Sequence, residues 1–233
     1  MSESEPTDRL PLTVEHIKDH LLEKLSGIGD LDIVLFGSNA RGNQISAESD
    51  IDIWISGEPE TENRASELLS QDSELPAPYD VVRLGDYAGR PELESAMRFV
   101  VGSTGVLIAG ELPSYPEDFD AEKAAAVFSA AALRQAEELI DRADIIERSG
   151  GWSNGSFSRE AARSLLYAQS ARTGDWASVK KLDAPALAKK LEDVDIELGS
   201  LIRTSGWDSR EAIAGIRKII ETVAVSAAVS NEQ

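Results

Sequence analysis

Apolar residues change rhythm partway along the chain. Val14, Ile17, Leu21 and Leu25 recur at helical spacing behind Thr13, which can cap a helix, and the glycine-containing stretch Ser26 to Asp30 ends it. Leu31 to Phe36 is a short, mostly apolar run that suits a buried strand. Ile51 to Ile55 alternates: Ile51, Ile53 and Ile55 fall on one face of a strand, with Asp50, Asp52 and Trp54 on the other. A helix is expected over 61–70, a loop over Ser73 to Pro78, and a third strand over Tyr79 to Leu84 carrying Asp80. Pro91 opens a helix to about Val101, and the apolar segment Val106 to Ala109 closes this half.

After the proline-containing stretch Leu112 to Asp118, a linker candidate, only helical periodicity remains. Helices are expected over Ala121–Arg148, Ser158–Arg172, Pro185–Leu198 and Asp208–Val229, with Ser149 to Gly155 as a break and Asp208 with Glu211 as a capping box. Four helices with short connections predict an all-α up-and-down bundle. The expected division is 1–115 and 116–233.

Composition narrows the function. A chain of 233 residues with 42% hydrophobic positions can bury a proper core. No apolar run approaches bilayer length, and the acidic start, Met1 to Asp8, is neither a signal nor a transit peptide, so no membrane role is expected. The absence of cysteine excludes disulfides and thiolate metal sites and makes the cytoplasm the default compartment. Forty-two acidic against 23 basic residues give a net charge of −19. Such a surface repels nucleic acid and argues against it as a partner; it fits either a host with high internal salt or an ordinary acidic cytosolic protein.

The densest chemistry lies between the first two strands. Gly37, Ser38, Arg41 and Gly42 form a turn directly after a strand, where unpaired backbone N–H groups, a helix dipole and the Ser38 hydroxyl suit a phosphate. Arg41 either reaches a phosphate or holds the turn. Asp50 and Asp52 follow at i and i+2, roughly 7 Å apart and pointing the same way along a strand. Two carboxylates that close repel each other unless a cation intervenes, and magnesium takes hard oxygen ligands of this kind. Alone, each half is an ordinary turn or an exposed strand face; together they provide for a nucleoside triphosphate and its metal.

Gly37-Ser38-Asn39-Ala40-Arg41-Gly42 followed by Ser49-Asp50-Ile51-Asp52 resembles the signature of the DNA polymerase β-like nucleotidyltransferase superfamily, and of its minimal nucleotidyltransferases in particular. The match spans about residues 13 to 110. The resemblance implies an α+β nucleotidyltransferase domain, a mixed sheet with flanking helices, placed before the helical bundle. It implies transfer of a nucleoside monophosphate, usually AMP from ATP, to a hydroxyl, with two Mg2+ ions and release of pyrophosphate. Asp50, Asp52 and a third carboxylate would bind metal and act in catalysis; Tyr79-Asp80-Val81-Val82 looks like the third-carboxylate strand, with Asp86 as a rival for Asp80. Gly37, Ser38 and Arg41 would bind the nucleotide. The acceptor would be a hydroxyl on a protein or on an aminoglycoside-like small molecule, and homo-oligomerisation stays open. An antitoxin-like or inactive module that sequesters a partner is the alternative. The bundle looks like a HEPN domain, the usual companion of minimal nucleotidyltransferases in toxin–antitoxin pairs, yet it lacks the Arg-x(4–6)-His motif of HEPN ribonucleases.

Other features read as structural. His16 and His20 share a helix face at a spacing that could bind metal, though a solvated pair is the simpler reading. Trp152, Trp176 and Trp207 sit at loops of the bundle, where such residues more often pack helix ends than stack on a base; Tyr167 reads as core. Lys180, Lys181, Lys189 and Lys190 read as a solvated face rather than a triphosphate contact.

Overall fold

Helix α1 (Val14–Lys24) starts where the Thr13 hydroxyl accepts from the His16 N–H at 3.3 Å, and it buries Ile17 and Leu21 against the sheet. The structure, a computed structural model, describes residues 12–37, 40, 50–150, 155–171, 179 and 182–230. The chain divides into two compact units, Met1–Ala124 and Ala125–Gln233.

The first unit is built on a four-stranded mixed sheet in the order β3-β2-β1-β4. Strand β1 (Leu31–Leu35) runs antiparallel to β2 (Ile51–Gly57) and to β4 (Val106–Ala109), whereas β2 runs parallel to β3 (Tyr79–Arg83). The expected alternation in β2 is present. Ile51, Ile53 and Ile55 join Ile33 and Leu35 in a core closed by Ile17 and Leu21 of α1 and by Ala65 and Leu69 of α2 (Pro59–Ser70). Trp54, also fully buried, lies on the opposite face with Asp52. Helix α3 (Pro91–Thr104) ends at Gly105, where a Cβ would stand 2.4 Å from Val34 Cγ1; only a residue without a side chain lets the chain return this closely to β1. The stretch read as a linker lies along α3: Phe99 packs edge-on against Tyr115 at 5.1 Å and against Phe119 at 6.1 Å.

The second unit is all helical. The described helices are α4 (Ala121–Arg148), which opens at the junction of the units, α5 (Ser156–Ala171), α6 (Ala184–Glu192), α7 (Ile196–Ser205) and α8 (Arg210–Ser230). Ala136, Ile140, Ala161, Leu165, Leu187, Leu191, Ile202 and Ile216 form its core. The single helix expected over Pro185–Leu198 is two helices. The Val194 and Asp195 N–H groups close α6 onto the Leu191 carbonyl at 3.0 and 2.8 Å, and the Asp195 carboxylate then caps α7 by accepting from the Leu198 N–H at 2.9 Å. An aspartate competes for backbone N–H groups, so it starts a new helix in a stretch whose apolar spacing alone reads as continuous. Likewise Ser209, not Asp208, caps α8, its hydroxyl accepting from the Ala212 N–H at 3.2 Å. Trp207 is half-buried against this core, its carbonyl accepting from the Ser158 hydroxyl, and Tyr167 is half-buried there too. Lys189 and Lys190 are exposed; Trp152, Trp176, Lys180 and Lys181 lie outside the described residues.

A charged clasp ties α1 to the loop between α2 and β3. The Asp72 side chain is fully buried and lies 2.5 Å from His20 Nε2 and 3.4 Å from Lys24 Nζ, while Glu74 pairs with Lys24 at 3.0 Å. Burial works against ionisation of Asp72, but hydrogen bonds from His20, the Glu74 N–H and Lys24 outweigh it and hold the carboxyl below its ordinary value. A carboxyl lowered in the folded state stabilises above its unfolded value and loses that contribution as pH falls through the folded one. The fold should therefore lose stability in acid below about pH 4, and Asp72→Asn should lower unfolding stability at pH 7 by roughly 1–3 kcal/mol while flattening that acid limb; denaturant unfolding of both proteins from pH 7 to pH 3 measures it.

Candidate active site

Three elements converge on the face of the sheet opposite the isoleucine core. Strand β1 ends at Leu35; the next residue, Phe36, donates its N–H to the Asp52 carbonyl at 3.0 Å, and the chain turns at Gly37 with φ of +75°. A Cβ at Gly37 would stand 2.2 Å from Asp52 Oδ2. The Asp52 carboxylate thus lies against the bare α-carbon of the turn. Both the positive φ and this contact require glycine, which joins the phosphate-turn candidate to the carboxylate candidate in one place.

The third element is β3. Its parallel pairing begins where the Ile51 N–H donates to the Pro78 carbonyl at 2.8 Å, and it sets Asp52 opposite Asp80 and Trp54 opposite Val82. Partners in a parallel pair project to the same face, and Cα atoms of neighbouring strands stand about 4.8 Å apart. Asp50 stands just before β2, two residues from Asp52, where continuation of the strand's alternation would set it on that face. All three aspartates are half-buried. Three carboxylates on one sheet face can hold a divalent cation through hard oxygen donors.

Asp86 is engaged elsewhere. It sits in the 3₁₀ turn Leu84–Tyr87 that follows β3, and its two carboxylate oxygens accept from the Arg83 guanidinium at 2.6 Å and from the Arg83 N–H at 3.2 Å. Burial opposes its ionisation, yet these bonds hold the carboxyl below its ordinary value. The same turn carries Tyr87, whose ring stacks on Trp54 with centroids 6.1 Å apart. That pair walls the site one row from the aspartates. Burial, with Asp86 next in effect, pushes the Tyr87 phenol up to about 12, so it stays protonated at any physiological pH.

Of the residues singled out in the sequence, Gly37, Asp50, Asp52 and Asp80 are brought together here. Ser38 and Arg41 lie outside the described residues. His16 is exposed, and His20 is not a solvated partner to it: His20, Asp72 and Glu74 bring ligand-type atoms within 4.8 Å of one another. Lys24 already lies against both carboxylates, so the group closes on itself as the clasp described above. Asp72 and Glu74 stand more than fifty positions from His20, beyond the reach of any local spacing rule. In the second unit a groove of about 480 Å³ between α4 and α8 is lined by arginines and acids. Arg210 pairs there with Glu147 at 2.8 Å, Arg217 with Asp141 at 2.7 Å and Arg148 with Asp144 at 2.8 Å, so its arginines are paired internally.

Among the described residues, no helix is long and apolar enough to cross a membrane. No curated protein and no solved structure matches the chain. A family model, that of the nucleotidyltransferase domain, matches residues 14–102, which hold the turn, the three aspartates and the β2–β3 pair. Residues 14–102 are therefore a nucleotidyltransferase domain of the DNA polymerase β-like superfamily.

Proposed function

We propose that this protein is a metal-dependent nucleotidyltransferase that moves a nucleoside monophosphate, AMP from ATP, onto a hydroxyl of a protein or a small molecule and releases pyrophosphate. The observation that carries the reading is the register pair Asp52–Asp80, with Asp50 on the same face and Asp52 seated on the Gly37 turn. Asp50, Asp52 and Asp80 would hold two magnesium ions; their donor set of hard oxygens fits that ion. When bound, the ions neutralise charge on the triphosphate and lower the barrier to attack at the α-phosphorus.

The chain's own residues do the rest. The backbone at Gly37 admits the phosphates closely, and Ser38 and Arg41 hold them in this reading. Asp52, touching the turn on one side and facing β3 on the other, connects the phosphate end of the site with the acceptor end. Asp80, on the edge strand, takes the proton of the acceptor hydroxyl. The acceptor oxygen bonds to the α-phosphorus, the bond between the α- and β-phosphates breaks, and pyrophosphate leaves with the bonding electrons. In this reading the three carboxylates and the polyphosphate are all negative, and cations lying between them would offset that repulsion.

In the presence of Mg2+, α-labelled ATP should pass its label to an acceptor offered as a host protein extract or an aminoglycoside panel. Asp50→Ala, Asp52→Ala and Asp80→Ala should each lower transfer by about 100-fold or more, and chelation of Mg2+ should abolish it. Equal labelling by wild type and these variants would refute the reading; label on protein against label on the small molecule decides the acceptor class.

Gly37→Ala gives a second check. The left-handed conformation strains any side chain by roughly 1–2 kcal/mol, and the new methyl occupies the place of the Asp52 carboxylate. Transfer should fall at least about tenfold while thermal unfolding shifts by only a few degrees; unchanged transfer would show that the seating of Asp52 on the turn is dispensable.

A further inference from the structure

Glu62 is the one charged residue among the described ones whose whole surface is buried, at 4% exposure. It lies in the first turn of α2, and neither oxygen contacts a cation at bonding distance. Oε1 accepts from the Gly57 N–H at 3.1 Å, and Oε2 accepts from the Gly85 N–H at 3.3 Å. Gly57 is the last residue of β2, and Gly85 lies in the 3₁₀ turn just past β3.

These two donors are not an arbitrary pair. The last register partners of the parallel ladder are Ile55 and Arg83. Two residues further along each strand the partners would be Gly57 and Gly85. The Glu62 carboxylate therefore spans the position where the ladder would have continued, and it replaces the lost strand-to-strand bonds with one acceptor shared by both chains. Gly85 is fitted to it, since a Cβ there would lie 3.1 Å from Oε2. The next residue of α2 acts alongside, with Asn63 Oδ1 accepting from the Arg83 guanidinium at 2.5 Å.

We propose that Glu62 is a positioning residue of the carboxylate site, pinning the β2–β3 register so that Asp80 stays opposite Asp52. This rests on the reading that the aspartates bind the metal. The need for a pin follows from the sheet: β3 is an edge strand with five register pairs, parallel, and only half-buried along its length. Parallel pairs are slightly weaker than antiparallel ones, and a slip of one residue would turn Asp80 to the core face. At the opposite end of β3 the Ile51 N–H to Pro78 bond provides the other restraint, so Asp80 is held from both sides.

The test is binding of Mn2+ alone to the full-length chain, followed by the electron paramagnetic resonance of the free ion, with amide hydrogen exchange of β3 in parallel. Asp80→Asn defines the Asp80-dependent part of the binding. Glu62→Gln keeps the size of the side chain but offers one carbonyl in place of two carboxylate oxygens. It should weaken that part by about tenfold and speed exchange in β3, and the double variant should bind no worse than Asp80→Asn. Gly85→Ala, which crowds Oε2 without removing it, should weaken the same part less, and it carries the test if Glu62→Gln does not fold. Asp72→Asn is the comparison for general loosening and should leave Mn2+ binding intact. The proposal is overturned if Glu62→Gln leaves the Asp80-dependent part within twofold of wild type, or if Asp72→Asn weakens it equally. If wild-type binding does not respond to Asp50→Ala, Asp52→Ala or Asp80→Asn at all, the metal reading itself fails and takes this inference with it.

Discussion

The parallel pairing of β2 with β3 is the constraint on which the candidate site depends. Two aspartates on one strand at i and i+2 make a line of negative charge, but not yet a site for two cations. The site becomes two-dimensional only when a neighbouring strand supplies a third carboxylate at the same height, and pairing of Asp52 with Asp80 does that. In a sheet the side-chain period is two, so this is an all-or-none condition: Asp80 faces Asp52 or faces the isoleucine core. The fold spends its core on that condition. Ile51, Ile53 and Ile55 hold β2 by one face and thereby commit the other to Asp50, Asp52 and Trp54.

A second constraint is steric. In the proposed reading, the turn after β1 has to pass Asp52 closely enough for a phosphate at the turn to lie within reach of a cation at the carboxylates. A side chain on the turn would fill that space, and Gly37 leaves it open. Gly37 thus has two duties that cannot be separated, a backbone conformation and a close approach. The Trp54–Tyr87 stack lies further along the same face, beside the aspartates.

How much of this is legible in the sequence follows from the range over which each feature acts. The strands, the Thr13 cap and the placing of Asp52 on the face opposite the isoleucines follow from local spacing, and the structure has them. Asp80 could be placed on a strand but not opposite Asp52, because register between strands separated by a helix depends on packing. That left Asp86 as a rival, and only its bonds to Arg83 show it to be engaged locally. The break between α6 and α7 is hidden for a different reason: Leu187, Leu191, Leu198 and Ile202 keep a spacing that one long helix could also satisfy, and the cap at Asp195 decides against it. Glu62 carries no signal at all. In sequence it is one acid of several at the start of a polar helix, and its place is defined by donors 5 and 23 residues away.

That silence bears on why a buried carboxylate is found there. Burying a carboxylate costs several kcal/mol after relaxation, and an apolar residue of similar volume often replaces a buried charge without loss of stability. An apolar residue at 62, however, would remove the acceptor that the Gly57 and Gly85 N–H groups share, a loss of about 0.5–1.5 kcal/mol for each hydrogen bond. A neutral amide could accept from one of them and would turn a donor toward the other. A carboxylate is the side chain that accepts twice, in a fixed fork, from two strands at once. Its use is geometric specificity rather than stability, and the register of an edge strand that carries a metal-binding candidate is where such specificity has something to protect.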